Sequence, residues 1–273
     1  MTKKIKLGFI GGGNMGQALM EAVVKKKLIN ASAMGLYEPD VERCRLLRRK
    51  LGLQLFKSNT ELTKASEILL LAVKPQQMSS VLDEIRPHLE KNMLIVSIAA
   101  GLDTEFFEKR LPKKTRLIRA MPNMCAMIGE GASALYAAPA ATRADQALAL
   151  KIFSAAGQAV FVGSEKLLDA VTAVSGSGPA FVYLFMDALI EAGEKQGLPR
   201  EMTKKLVVQT LVGAAHMVEG SHETIQTMIS RVASKGGTTE AGLQVLSDKN
   251  FRDIIRDTIA AAAKRARELR CTS

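Results

Sequence analysis

Gly8-Phe9-Ile10-Gly11-Gly12-Gly13-Asn14-Met15-Gly16 decides how the first half of the chain reads. Apolar residues run into it from Ile5, and Met15–Leu28 leaves it with helical spacing. The glycines at 11, 13 and 16 therefore fall between a strand and a helix. In the spacing Gly-x-Gly-x-x-Gly, the first glycine permits a tight turn and the second lets backbone approach a pyrophosphate. The third lets the helix pack against the sheet. Unpaired N–H groups at the helix start attract the phosphate charge.

Outward from this loop the pattern alternates. Strands are expected at Ile5–Ile10, Ala33–Tyr37, Leu53–Phe56, Ile68–Val73, Met93–Ile98, Thr115–Ala120 and Ala132–Tyr136, with helical stretches between most of them. Ile68–Val73 (ILLLAV) and Met93–Ile98 (MLIVSI) are apolar almost throughout, as strands are when a parallel sheet is covered on both faces. The expected class is α/β, with an N-terminal Rossmann-type, doubly wound, mostly parallel sheet.

In such a sheet, ligands bind outside the carboxyl ends of the strands. Glu38 ends the second strand, 22 residues beyond Gly16, near the offset of the acid that hydrogen-bonds an adenosine ribose. A carboxylate there accepts from a 2′-hydroxyl and repels a 2′-phosphate. Lys74-Pro75, Ala99-Ala100-Gly101 and Met121-Pro122-Asn123 follow later strands and are candidate lining segments.

Near Gly163 the pattern changes, and from Glu165 no strand is expected. Leu167–Gly193 reads as one long helical stretch containing Ser175-Gly176-Ser177-Gly178-Pro179, where Pro179 should kink or end a helix. Further helices are expected at Arg200–Val218, Thr224–Ala233, Thr239–Leu246 and Phe251–Leu269. The division is thus 1–163 for a dinucleotide-binding Rossmann domain and 164–273 for an all-helical domain. Wide apolar faces, such as Leu206, Val207, Leu211 and Val218, suit burial between helices or subunits.

The 273 residues include 38 Lys and Arg against 27 Asp and Glu, a net charge of +11. Nucleic acid is not the expected partner. Trp is absent, Tyr numbers three, and no basic run interleaves with aromatics. Lys25–Lys27, Arg48–Lys50, Lys113–Lys114 and Lys264–Arg270 mostly close expected helices, where cations favour the dipole. The positive field can still gather anionic ligands. The longest apolar runs are strand-length, so no membrane span is expected. Met1-Thr2-Lys3-Lys4 runs straight into a strand with no leader pattern, which points to the cytoplasm. Cys44, Cys125 and Cys271 lack metal-ligand spacing and read as bystander thiols; no metal is expected. His88, His216 and His222 have no partner signature and read as packing or surface residues.

Ser234-Lys235-Gly236-Gly237-Thr238-Thr239-Glu240-Ala241-Gly242-Leu243 resembles the C-terminal signature of pyrroline-5-carboxylate reductases. Gly8–Gly16, Ala72-Val73-Lys74-Pro75, Ser97–Gly101, Arg119–Asn123, Val174–Ala180 (VSGSGPA) and Gly197-Leu198-Pro199-Arg200 fall in that family's order, so the resemblance covers essentially the whole chain. It implies reduction of the C=N bond of 1-pyrroline-5-carboxylate to L-proline by NADPH or NADH. It further implies that Ile10–Gly16 hold the pyrophosphate and that Asn59 lies near the adenosine ribose. Ala72–Pro75 and Ile98, Ala99 and Ala100 would line the nicotinamide half. The N–H groups of Thr238 and Thr239 would bind the substrate carboxylate, with the Thr239 hydroxyl, the catalytic candidate, near the ring nitrogen. Ser234, Gly237, Ser175 and Asn123 complete the expected substrate contacts. A homodimer or ring of dimers is implied, with 164–273 as the substrate-binding and dimerisation domain. Glu38 departs from the small or polar residue common in NADPH-preferring members, and Lys235 stands where proline is common.

The residues support this independently. Gly236-Gly237-Thr238-Thr239 precedes a helix and can form an anion nest; it also suits a plain hinge with a threonine cap. Hydride transfer to an imine needs positioning more than a strong acid, which fits a site of Gly, Ser and Thr. Two alternatives remain at this point. A β-hydroxyacid or related imine reductase would place a catalytic Lys or Asp on the inter-domain helix; here Asp169 and Asp187 flank VSGSGPA with no Lys between them. The second alternative is a non-catalytic NAD(H)-binding protein.

Overall fold

The computed structural model describes residues 5–271, the side chain of Cys271 lying outside that description. The first half runs β1 (Ile5–Ile10), α1 (Asn14–Lys25), β2 (Met34–Tyr37), α2 (Val41–Leu51), β3 (Gln54–Leu55), α3 (Asn59–Ala65), β4 (Ser66–Leu71), α4 (Pro75–Ile85), β5 (Leu94–Ser97), α5 (Thr104–Glu108), β6 (Arg116–Met121), β7 (Gly131–Ala137), α6 (Arg143–Ser154) and β8 (Gly157–Phe161). Helices then follow: α7 (Leu167–Val171), a π-helical turn at Thr172–Gly176, α8 (Gly178–Lys195), α9 (Arg200–Glu219), α10 (Ile225–Val232), α11 (Thr238–Asp248) and α12 (Phe251–Cys271).

Among the described residues the strands form one sheet in the order β3-β2-β1-β4-β5-β6-β7-β8. Pairing is parallel except between β6 and β7. The order reverses between β1 and β4, which makes their carboxyl ends the crevice where such sheets take ligands. The alternation of continuous apolar strands with amphipathic helices produces this arrangement. Leu7, Phe9, Leu70 and Val96 bury into one apolar layer with α1, while Ile10, Leu69, Leu71 and Ile95 bury into the other with α4.

Local signals set the helix ends. Asp40 caps α2 by accepting from the Arg43 N–H, and Gly52 closes it in the left-handed conformation. Thr142 and Asp145 form a reciprocal capping box at α6. Arg48, Arg49 and Lys50 occupy the last turn of α2, where cations meet the helix dipole. Lys113–Lys114 instead lies in a turn ahead of β6, with Lys114 at φ 63°.

Three features depart from the expected pattern. β8 was not expected; its residues alternate between half-buried and exposed, with Val160 59% exposed, so no apolar run marks it. The stretch expected as Leu167–Gly193 is interrupted by the π-helical turn, and Pro179 sits in the first turn of α8, where its missing N–H costs nothing. Finally, although single apolar runs are short, Leu167–Lys195 is long and apolar enough by length and composition to cross a membrane, with an 18-residue window of mean hydropathy 1.4.

By contacts the chain divides into two compact units, Met1–Pro179 with Ala261–Ser273, and Ala180–Ala260. The second unit has almost no core of its own. Among its residues only Ile190 and Thr203 are buried, whereas Leu184, Leu206, Met217, Ile225 and Val245 are more than half exposed. A helical layer with this much open apolar surface requires a covering layer.

Candidate active site

Backbone bonds bring four strand ends together. The Gly11 N–H donates to the Tyr37 carbonyl at 2.9 Å, Ala72 N–H to Ile10 at 2.8 Å and Ile98 N–H to Leu71 at 3.2 Å. The carboxyl ends of β2, β1, β4 and β5 are thereby adjacent, and the candidates Ile10–Gly16, Glu38, Ala72–Pro75 and Ile98–Ala100 share one edge. Ile10 itself is buried in the core, so its side chain is not available to a ligand.

The glycine loop fits a dinucleotide. Gly11 has φ 99°, and a Cβ there would stand 2.7 Å from the Ala72 carbonyl oxygen; no other residue fits this turn without strain. α1 begins at Asn14, its Gly13 cap contributes no side-chain bond, and the first turn contains no acid. The helix's first bond inward from the cap is Gln17 N–H to Gly13 at 2.8 Å. The N–H groups of Asn14, Met15 and Gly16 therefore have no partner within the helix and form an anion-seeking end.

Glu38 lies beside this loop. Its Oε2 accepts from the Gly12 N–H at 2.7 Å and its Oε1 from the Asp40 N–H at 3.1 Å. Arg43 also reaches the loop, donating through Nη1 to the Gly12 carbonyl at 3.4 Å, whereas Arg45 pairs with Glu42 in solvent. Burial pushes the Cys44 thiol up, so it stays protonated and donates to the Glu38 carbonyl at 3.1 Å.

Asn59, at the start of α3, is 5% exposed. Its Nδ2 donates to Glu84 Oε2 at 2.6 Å, while its Oδ1 is buried with no partner. An orphaned buried acceptor costs about 1–3 kcal/mol unless something donates to it. A ribose hydroxyl is a donor of the right kind. Sequence reasoning missed Glu84, which lies 25 residues away and fixes the amide's orientation.

At β5, Ala99, Ala100 and Gly101 line a crevice of about 30 Å³ with Arg119, Met121, Leu168, Asp169 and Leu269. Beneath it Glu165 Oε1 accepts from the Thr104 N–H, the Thr104 hydroxyl and Arg119 Nη1, each at 2.6 Å. This cluster, which ties the loop after β5 to the start of the helical half, was not expected either. Asn123 bridges β7 and the π-helical turn. Its Nδ2 donates to the Ser175 carbonyl at 3.0 Å and its Oδ1 accepts from the Ala132 N–H at 3.1 Å. The Ser175 hydroxyl turns inward to the Val171 carbonyl at 3.1 Å. A larger cavity, about 910 Å³, opens among Met93, Phe107, Leu111 and Arg116 at the opposite edge of the sheet and contains none of the candidates.

The helical unit contains the other half of the candidate set. Gly236 takes φ 73°, and Gly237 caps α11 with its N–H on the Ser234 carbonyl at 3.0 Å. The first helical bond is Ala241 N–H to Gly237 at 3.2 Å. The N–H groups of Thr238 and Thr239 precede it and have no partner within the helix. Two adjacent free donors at a helix start, on a half-buried Thr239, suit a carboxylate.

A nucleotide-binding sheet edge followed by a helical unit too poor in core to stand alone defines the class: a nicotinamide-dependent oxidoreductase that works as an assembly of subunits. Comparison with known proteins makes the assignment particular. Residues 165–269 match the family model for pyrroline-5-carboxylate reductase dimerisation, and residues 6–101 match that described as NADP oxidoreductase coenzyme F420-dependent. A pyrroline-5-carboxylate reductase of Methanosarcina acetivorans is 38% identical over 97% of both chains. The structure of a pyrroline-5-carboxylate reductase from Coxiella burnetii superposes with a TM-score of 0.93 at 32% identity, covering 97% of this chain and 98% of that one. The Plasmodium falciparum pyrroline carboxylate reductase with NADP bound gives 0.87 at 33% identity, covering 99% and 100%. The chain belongs to the pyrroline-5-carboxylate reductase family. It is an NAD(P)H-dependent oxidoreductase acting on an imine in proline biosynthesis, and its dimerisation domain makes it a homo-oligomer. The β-hydroxyacid and non-catalytic alternatives are not favoured.

Proposed function

We propose that two loops divide the work of reducing 1-pyrroline-5-carboxylate to L-proline. Residues 1–163 bind the dinucleotide, and 164–273 bind the substrate and the partner subunit. When bound, NAD(P)H supplies the hydride that adds to the C=N carbon. Ile10–Gly16 and the first N–H groups of α1 hold the pyrophosphate. Glu38 and the unpaired Oδ1 of Asn59 accept ribose hydroxyls. Ala72, Val73, Lys74 and Pro75, with Ile98, Ala99 and Ala100, line the nicotinamide half, where small side chains leave room for a flat ring.

Thr238 and Thr239 hold the substrate carboxylate through their N–H groups. The Thr239 hydroxyl accepts the ring N–H of the protonated imine and fixes the carbon's orientation. Ser234 and Gly237 shape the turn, and Asn123 and Ser175 border the substrate. The imine nitrogen keeps its proton as the carbon gains the hydride, so no side chain has to act as a strong acid. The work is orientation. The observation that carries this reading is the pair of free N–H groups at Thr238 and Thr239, seated on a turn that glycine alone makes easily.

The same reading covers the finer properties. NADH serves at least as well as NADPH, on the strength of Glu38. The enzyme acts in the cytoplasm as a homodimer or ring of dimers. The apolar surface of Leu167–Lys195 is covered by a second subunit, not a membrane, because it lies within the matched dimerisation region. Nucleic acid is not a partner. Mixing the purified protein with 1-pyrroline-5-carboxylate and either reduced cofactor tests the function: cofactor is consumed and proline appears. Consumption with a 2-oxo or β-hydroxyacid substrate alone overturns it.

A further inference from the structure

The substrate turn is held by a side chain within the signature stretch to which the resemblance assigns no role. Glu240 is the third residue of α11, the position from which a Glu commonly reaches back to the cap N–H. Here the cap N–H of Gly237 is already bonded to the Ser234 carbonyl. Glu240 reaches one residue further, and its Oε2 accepts from the Gly236 N–H at 2.6 Å. Gly236 is the residue at φ 73°, and with no Cβ it crosses to negative φ freely. The bond to Glu240 therefore holds the turn in the conformation that leaves the Thr238 and Thr239 N–H groups open.

We infer that Glu240 is a positioning residue for the substrate carboxylate, acting through the Gly236 N–H, and that its charge at the same time weakens substrate binding. Both effects follow from one geometry. The hydrogen bond orders the nest. The negative charge sits in the first turn of α11, where it competes with the substrate carboxylate for the same positive helix end. The wild-type enzyme thus has an ordered site that does not hold the carboxylates of its substrate and product too tightly. This inference rests on reading Gly236–Thr239 as the carboxylate seat.

Glutamine separates the two effects, because its amide oxygen can accept the Gly236 N–H without the charge. Steady-state kinetics are measured for the wild type, Glu240→Gln and Glu240→Ala, each with inhibition by L-proline. Glu240→Gln is expected to keep kcat and to lower both KM for 1-pyrroline-5-carboxylate and Ki for L-proline about threefold, a partly screened single-charge effect. Glu240→Ala is expected to raise both about fivefold or more, with KM for the reduced cofactor unchanged. A helix-capping role alone would lower thermal stability without splitting KM from kcat. Gln and Ala variants that behave alike, or that leave KM for the imine unmoved, overturn the inference. Thr238→Pro, which removes one N–H of the seat at the first position of α11, where proline is tolerated, keeps the two ideas apart: if it raises KM for the imine while the Glu240 variants match wild type, the carboxylate seat stands and Glu240 has no part in it. If Thr238→Pro leaves KM for the imine unmoved, the seat itself is wrong.

Discussion

Glu38 and Gly12 are joined directly: a carboxylate oxygen at the end of β2 accepts the Gly12 N–H of the phosphate loop at 2.7 Å. The residue expected to read the ribose is thus anchored in the pyrophosphate loop and is not a free surface acid. A 2′-phosphate at 4 Å from this carboxylate would cost about 4 kcal/mol at an effective dielectric near 20, before solvent screening reduces it. Arg43, bonded to the Gly12 carbonyl, offsets part of that. The wild type is expected to use NADH at least as efficiently as NADPH, and Glu38→Ser to shift the efficiency ratio toward NADPH. A strong NADPH preference unmoved by Glu38→Ser would remove Glu38 from the ribose site.

Gly11→Ala tests the loop itself. A left-handed non-glycine costs roughly 1–3 kcal/mol, and the added carbon meets the Ala72 carbonyl. Lower thermal stability together with a KM for reduced cofactor raised tenfold or more is expected. Unchanged cofactor KM in a folded variant would separate the loop from the pyrophosphate.

Asn123→Ala strands two backbone groups, the Ala132 N–H and the Ser175 carbonyl. A stability loss of about 2–3 kcal/mol in urea unfolding is expected, since buried groups left unpaired cost about 1–3 kcal/mol each. A loss below about 0.5 kcal/mol, within the range of ordinary surface substitutions, would mean that Asn123 does not hold the π-helical turn.

Assembly follows from the poverty of core between Ala180 and Ala260. Light scattering at micromolar concentration is expected to give at least a dimer, and a ring of dimers if further contacts close. Leu206→Glu, which places a charge on the exposed face of α9, is expected to weaken the assembly and expose the protein to aggregation. A fully active monomer of 29.5 kDa would contradict the account of this surface.

Much of the fold was legible because local rules and tertiary packing agree. β1, the glycine loop and α1 are marked by a change of period, and Glu38 is found by counting from Gly16. The helices past Gly163 are marked by their apolar spacing and by turn residues such as Gly197 and Pro199. β8 escaped because Gln158 and Val160 alternate outward and leave no apolar run. The π-helical turn escaped because its bonding pattern has no compositional signature beyond small residues. Asn59–Glu84 and the Glu165 cluster join residues 25 to 61 positions apart, a pairing that periodicity does not contain. Glu240 was readable: an acid at the third helical position is a local signal, obscured by the glycines and threonines of the motif around it.

The central claim is that Thr239 orients the imine, and Thr239→Val tests it most directly. Valine keeps the shape and the N–H and removes the hydroxyl. Steady-state kinetics of the purified variant with 1-pyrroline-5-carboxylate are expected to show kcat/KM down at least tenfold, about 1.4 kcal/mol or more, with KM for the reduced cofactor and the oligomeric state unchanged. A variant as efficient as the wild type would contradict it.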